Sequence, residues 1–276
     1  MKKLSTPDIK NVELWDNIVS HKRVEVRKLL SSYRQTVMHR YTYFMNNLNS
    51  LENIVPLNKA IWGNAKDELE GLYSNNVYLN EAKKKILVVN KCPYCRINHP
   101  NTLDHYFDKS DYPEFSVFTP NLIPCCSECN GKKGVIVFDA NNNRQFIHFY
   151  YDQLPDYQFL FVRFTLTPCE KIPTVNVYLN IPSTETLKSQ IEFHFSRLEL
   201  LSKYKDQIQE KISTIIGLIR KADKEGFTVS QMRNILCCQY DSMVEEYGYN
   251  YWEACMYEGV LSSEGFIETY FSNSIA

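Results

Sequence analysis

Apolar residues recur at helical spacing over residues 11–47, where Leu14, Trp15, Ile18, Leu29, Leu30, Tyr33 and Val37 share one side of a 3.6-residue period. The pattern predicts a helix there, and the polar, proline-ended stretch 46–56 reads as a loop. Residues 58–90 predict one or two more helices, the last over 80–89 and leading into Cys92. The period then changes to two. Large apolar residues take every second position over 160–166, and 175–181 alternates more cleanly, so two strands are expected. They would pair as a hairpin across the loop holding Pro168 and Pro173. Pro182-Ser183-Thr184 reads as the cap of a long helix with the stripe Leu187, Ile191, Phe195, Leu198, Leu201, Ile208, Ile212, Ile215 and Ile219, ending at Gly226. The tail beyond it is expected to be helical, with aromatic and acidic residues interleaved.

A chain of 276 residues exceeds one minimal core. Three regions are expected: a basic helical region over 1–75, a central region over 76–150, and the hairpin with a helical, acid-ended region over 151–276. The formal net charge of −1 excludes a uniformly basic nucleic-acid binder, so any nucleic-acid surface must be local. Residues 1–45 hold nine Lys or Arg against four Asp or Glu. Lys22, Arg23, Arg27, Lys28, Arg34 and Arg40 there mix with Tyr33, Tyr41 and Tyr43. Such a mixture either tracks a phosphate backbone or forms the polar face of a packed helix. After Arg233 there is no Lys or Arg, while Asp241, Glu245, Glu246, Glu253, Glu258, Glu264 and Glu268 follow. That acidic tail repels nucleic acid. Its aromatics Tyr247, Tyr249, Tyr251, Trp252 and Phe271, with Met256, favour contact with protein, either a partner or the tail's own domain.

Nine cysteines without a leading apolar stretch argue for a reduced, cytoplasmic protein rather than a disulfide framework. No segment approaches the roughly 18 apolar residues of a membrane span. Two cysteine pairs share a two-residue spacing, Cys92-Pro-Tyr-Cys95 and Cys126-Ser-Glu-Cys129. Each presents two soft sulfurs from one turn, and four thiolates suit a tetrahedral, structural Zn²⁺. Cys125 is an alternative to Cys126, but Cys126 restores the spacing; His99 is a weaker candidate ligand beside Pro100. Cys169, Cys237, Cys238 and Cys255 have no paired spacing and read as ordinary apolar residues.

Between and just after the pairs stand Leu103-Asp104-His105, Tyr112-Pro113-Glu114-Phe115, Asn121-Leu122-Ile123-Pro124, and Asn130 with Lys133-Gly134. Over about residues 91–138 this set resembles the HNH endonucleases, the ββα-metal or His-Me finger family. The resemblance implies an α+β fold: a zinc-clipped ββα-metal core embedded in a mainly helical protein with an added β-hairpin. It puts the Asp-His pair at the end of a first strand, Asn121 near the end of a second, and Asn130 in the first turns of a helix opened by the second cysteine pair.

His105 has an ordinary pKa, about 6.5, suited to a general base at neutral pH. Asp104 is a hard oxygen donor of the kind Mg²⁺ or Mn²⁺ prefers, and Asn130 offers an amide oxygen. The resemblance assigns Asp104 and Asn130 to that catalytic ion and has Asn121 brace the hairpin and so orient the imidazole of His105. Asn130 where many relatives carry histidine argues for an exchangeable Mg²⁺ separate from the zinc. Lys109, Lys132 and Lys133 either bind nucleic-acid phosphates or are solvated. Many relatives have a proline where this chain has Asp108.

The activity so implied is metal-dependent cleavage of DNA phosphodiesters, with RNA open as a substrate. A looser likeness, through the stretch from His194 to Lys205, is to HNH proteins of Septu-type and retron-linked anti-phage systems, which implies an ATPase partner or a homo-oligomer. The alternative is a catalytically silent zinc module that binds nucleic acid or a partner protein.

Overall fold

The structure, a computed structural model, describes residues 2–74, 76–166 and 172–271. The chain divides into two bodies. The first comprises Lys3–Gln153 with Ser189–His194, and the second comprises Met1–Lys2, Leu154–Lys188 and Phe195–Ala276. Each contains helices and one two-stranded antiparallel sheet.

The first body opens with α1 (Asn11–Ser20) and α2 (Val24–Asn46), where the apolar period predicts one continuous helix. The break has a local cause. Ser20 Oγ and His21 Nδ1 both donate to the Asn17 carbonyl, at 2.8 and 2.9 Å, and so compete with the backbone for a helix acceptor. α1 buries Leu14, Trp15, Ile18 and Val19, while α2 buries Leu30, Val37, Tyr41 and Phe44. Phe44 meets Phe107, Phe115 and Phe118 edge-on at 5.8, 5.4 and 5.2 Å. Arg40 does not face solvent: it is buried, with Nε 2.7 Å from Glu114 Oε1 and Nη2 donating to the Val55 carbonyl. It belongs to a packed helix rather than a phosphate track.

Two shorter helices, α3 (Ala65–Glu70) and α4 (Val77–Ile86), lead to the cysteine-bounded segment. Strand β1 (Thr102–His105) pairs antiparallel with β2 (Leu122–Cys125), with Asp104 opposite Ile123 and His105 opposite Leu122. Helix α5 (Ser127–Lys133) follows and stops at Gly134, whose φ of +59° favours glycine.

In the second body β3 (Leu160–Thr165) pairs with β4 (Thr174–Leu179), Val162 opposite Val177 and Phe164 opposite Val175. Pro168 and Cys169 of the expected connection lie outside the described residues. Where a single helix is expected up to Gly226, the chain forms α6 (Lys188–Arg197), of which Ser189–His194 belongs to the first body, and α7 (Leu200–Lys224). Glu199 between them is left-handed, at φ +56°. That residue resets the helical phase, so Leu200 and Tyr204 are buried and Leu201 of the expected stripe is only half-buried. Ile208, Ile212, Ile215 and Ile219 keep the expected face, each burial contributing about 1.5–3 kcal/mol. α8 (Val229–Tyr247) opens on a capping box in which Thr228 and Gln231 satisfy each other's backbone amides. α9 (Trp252–Ser262) lies against β3 so closely that a Cβ on Gly259 would meet the Val162 carbonyl at 2.6 Å. α10 (Phe266–Tyr270) ends the described tail. Tyr251, Trp252, Met256 and Phe271 are buried in this body, so they need no external partner to shield them; Tyr249 is exposed. No helix among the described residues is long and apolar enough to cross a membrane.

Candidate active site and metal centre

The two cysteine pairs converge. The sulfurs of Cys92, Cys95, Cys126 and Cys129 all lie within 4.8 Å of one another, and all four residues are buried. A tetrahedral zinc with bonds of about 2.3 Å sets its sulfurs roughly 3.8 Å apart. The Cys95–Cys126 separation of 3.9 Å fits that edge. Cys125, the alternative ligand, is buried outside the group on β2, where burial pushes its thiol pKa up. Four thiolates crowded into one buried space repel one another, and a dication stabilises all of them at once. The Cys126 amide and the Asn98 side chain also point at sulfurs, at 3.3 Å from Cys92 and 3.8 Å from Cys126.

Asp104 lies on β1, between the two cysteine pairs along the chain, and is almost wholly buried. Tyr94, from between the first two cysteines, donates its hydroxyl to Oδ2 at 2.6 Å. Lys133, at the end of the helix opened by the second pair, holds Oδ1 at 3.0 Å. Sequence reasoning puts Lys133 at a nucleic-acid phosphate, but the structure moves it inside. It has no exposure, and its ammonium also donates to the carbonyls of His105 and Tyr106, at 3.2 and 3.3 Å. Each half of the cysteine clip therefore supplies one group to the Asp104 carboxylate. The roles of Tyr94 and Lys133 were not read from sequence, although Tyr94 stands inside the knuckle and Lys133 follows Asn130 by three residues.

His105 points elsewhere. Its Nε2 lies 2.8 Å from the Ser116 carbonyl, which can only accept, so Nε2 carries the proton and Nδ1 the lone pair. Burial, ahead of all other influences, lowers its pKa from the usual histidine value, so the ring is neutral near pH 7. Tyr73 meets the imidazole edge-on, with centroids 4.4 Å apart. Asn121 is fully buried; its Oδ1 accepts from the Phe107 amide at 2.8 Å and its Nδ2 donates to the carbonyls of Phe107 and Phe115. It thereby ties both ends of the loop after His105 to β2. Asn130 donates to Thr102 Oγ1 at 3.3 Å. Thr102 and Asp104 share a face of β1, so Asn130 stands on the Asp104 side of the strand. Asp108 starts a turn by accepting from the Ser110 amide at 2.9 Å, a local substitute for the rigid proline. Lys109 is half-exposed, and Lys132 pairs with Glu128 at 4.0 Å.

The donor set around Asp104 partly suits a hard cation. Each carboxylate oxygen keeps a lone pair beyond the one used by Tyr94 or Lys133, and the Asn130 amide supplies another oxygen. A dication there must nonetheless share the carboxylate with the Lys133 ammonium.

No protein-family model matches the chain, and no solved structure matches it. The chain is similar to protein ea31 of Escherichia phage lambda, at 27% identity over 233 residues, 76% of this chain and 77% of that protein. It is also similar to Septu protein PtuB of Bacillus thuringiensis, at 42% identity over 50 residues, 16% of this chain and 20% of PtuB. The chain thus spans about a fifth of the PtuB length.

Proposed function

We infer that the first body is a metal-dependent endonuclease of HNH type acting on the phosphodiesters of DNA. The observation that carries the reading is a neutral histidine, His105, whose Nδ1 lone pair is set by the Nε2 bond to Ser116, one residue from a buried carboxylate held by Tyr94 and Lys133. In this reading His105 Nδ1 takes a proton from the attacking water. Asp104 and Asn130 would hold Mg²⁺ or Mn²⁺, and a divalent ion there supplies charge stabilisation on the phosphate and leaving oxygen. Asn121 keeps the His105 loop in place, and the zinc cluster fixes the strand and helix that carry these groups. The similarity to a Septu protein and to a phage protein supports a role in a phage-related setting, as the nuclease effector of an anti-phage system. An ATPase partner or a homo-oligomer would restrain it.

Nicking of supercoiled plasmid by the purified chain with Mg²⁺ or Mn²⁺ tests the activity. His105→Ala should lower the rate roughly 10²–10⁴-fold with zinc content unchanged. Equal cutting by that variant would sink the assignment. A second reading has its own observation: Asp104 already has a buried counter-cation in Lys133, as a zinc module without catalysis would require. Absence of metal-dependent nicking, together with retained DNA or partner binding, selects that module.

A further inference from the structure

Beside His105 two lysines gather around one aromatic ring. Lys83, from α4, sets its ammonium 3.8 Å from the Tyr73 ring centroid and donates to the Tyr73 carbonyl at 3.4 Å. Lys109, from the loop after β1, approaches the same ring at 5.9 Å. The ring they share is the one in edge contact with the imidazole of His105. Of the acids closest to this ring and to His105, Asp104 is held by Lys133 and Tyr94, and Asp108 accepts from the Ser110 amide at 2.9 Å. Neither Lys83 nor Lys109 is paired with a carboxylate among the described residues. Lys84, next along the helix, is paired with Glu81 at 2.8 Å. Lys83 is half-buried, and burial, followed by repulsion from Lys109, lowers its pKa. Two cations brought to one ring without a direct carboxylate partner repel each other, and an anion bound by both lowers that cost.

The geometry points to a phosphate subsite formed by Lys83 and Lys109 over Tyr73, which takes a phosphodiester flanking the one presented to His105. It rests on the nuclease reading for its choice of nucleic acid. Ammonium groups are compact phosphate ligands, and the site is one aromatic ring from the proposed base. The subsite fixes which side of the strand lies against α4. It accounts for Lys109 and adds Lys83 and Tyr73, neither of which the sequence motif contains. Phosphodiesters occur in both DNA and RNA, so both are tested.

The experiment measures binding of a short DNA duplex and of a single-stranded RNA of the same sequence to the full chain, as a function of salt. Lys83→Gln and Lys109→Gln should each reduce the slope of log affinity against log salt by about 1, and the double variant by about 2. Loss on DNA alone or on RNA alone names the physiological strand. Lys84→Gln should change the slope less than either. Zinc content and circular dichroism certify the fold of each variant. An unchanged slope in the folded double variant, or an equal loss in Lys84→Gln, overturns the subsite. Titration of the chain with inorganic phosphate, followed by NMR of the lysine ammonium and His105 ring signals, separates the two readings. Phosphate-induced shifts that vanish in the double variant support the subsite even if no plasmid is nicked. Nicking with unaltered salt dependence in the double variant leaves the nuclease standing and removes the subsite; absence of both shifts and any slope change also removes it.

Discussion

The two small sheets are built on opposite principles. In β3–β4 the burial alternates: Leu160, Val162 and Phe164 face inward with Val175 and Val177, while Arg163, Thr165, Thr174 and Asn176 face out. In β1–β2 nothing alternates. All four β2 residues are buried, and the β1 interior includes a carboxylate. The first kind of sheet is held by apolar area, and its register follows from the period. The second contains a buried ion pair and is flanked in sequence by cysteines whose cluster could hold a metal ion, and its register follows from the residues that must meet. A sheet built around a buried ion pair gives up the pattern that makes an ordinary sheet readable.

Removing the cluster should do the most damage. Structural zinc contributes about 10–16 kcal/mol in small zinc-dependent folds. Cys129→Ser should therefore release the metal and unfold the β1–β2 region, read as zinc per chain by elemental analysis and as loss of near-ultraviolet dichroism. A soluble, zinc-free variant with native spectra would break the contrast between the sheets.

The ion pair comes next. Lys133→Ala leaves Asp104 buried without its counter-charge, an expected cost of about 3–5 kcal/mol. Adding Asp104→Asn to Lys133→Met removes both charges and should recover much of the loss in denaturant melts. If the double change is as unstable as the single one, electrostatics is not what holds this strand.

The third test uses pH. His194 is fully buried and bonds the Tyr94 carbonyl through Nε2 at 2.8 Å; burial lowers its pKa to about 4. The unfolded chain, with histidine near 6.5, then binds more protons than the folded one below that pH. Stability is full above about pH 6.5, falls as pH drops toward about 4, and levels off below. The full drop is on the order of 3 kcal/mol. His194→Gln should flatten that part of the profile at matched zinc content; an unchanged slope would assign it to other groups.

The smallest expected effect falls on the apolar sheet. Gly259→Ala forces a Cβ toward the Val162 carbonyl, for about 1–3 kcal/mol by overpacking. A neutral Gly259→Ala would mean that α9 and β3 shift apart freely, and that this sheet is less tightly fitted than its alternation suggests.

Much of this was legible beforehand. The hairpin could be read because Val175 and Val177 alternate with polar neighbours, and the metal cluster because paired spacing has few other uses. The breaks at His21 and Glu199 were not. One depends on side chains capturing the Asn17 carbonyl, the other on a left-handed non-glycine residue, and apolar periodicity registers neither. Lys133 was misplaced because lysine by itself reads as a surface cation. The buried carboxylate of Asp104, with the carbonyls of His105 and Tyr106, draws it inside.

The pairing of Tyr94 and Lys133 on Asp104 also orders events in time. Tyr94 lies ten residues before Asp104 in the chain and Lys133 twenty-nine after it. As the chain leaves the ribosome, the tyrosine is at hand when the aspartate emerges, but the carboxylate waits for its cation. That cation comes on the same short helix that brings Cys129. Metal capture and charge neutralisation are thus delivered by one stretch of nascent chain. Until it appears, Asp104 lacks its counter-charge and the four-cysteine cluster is incomplete.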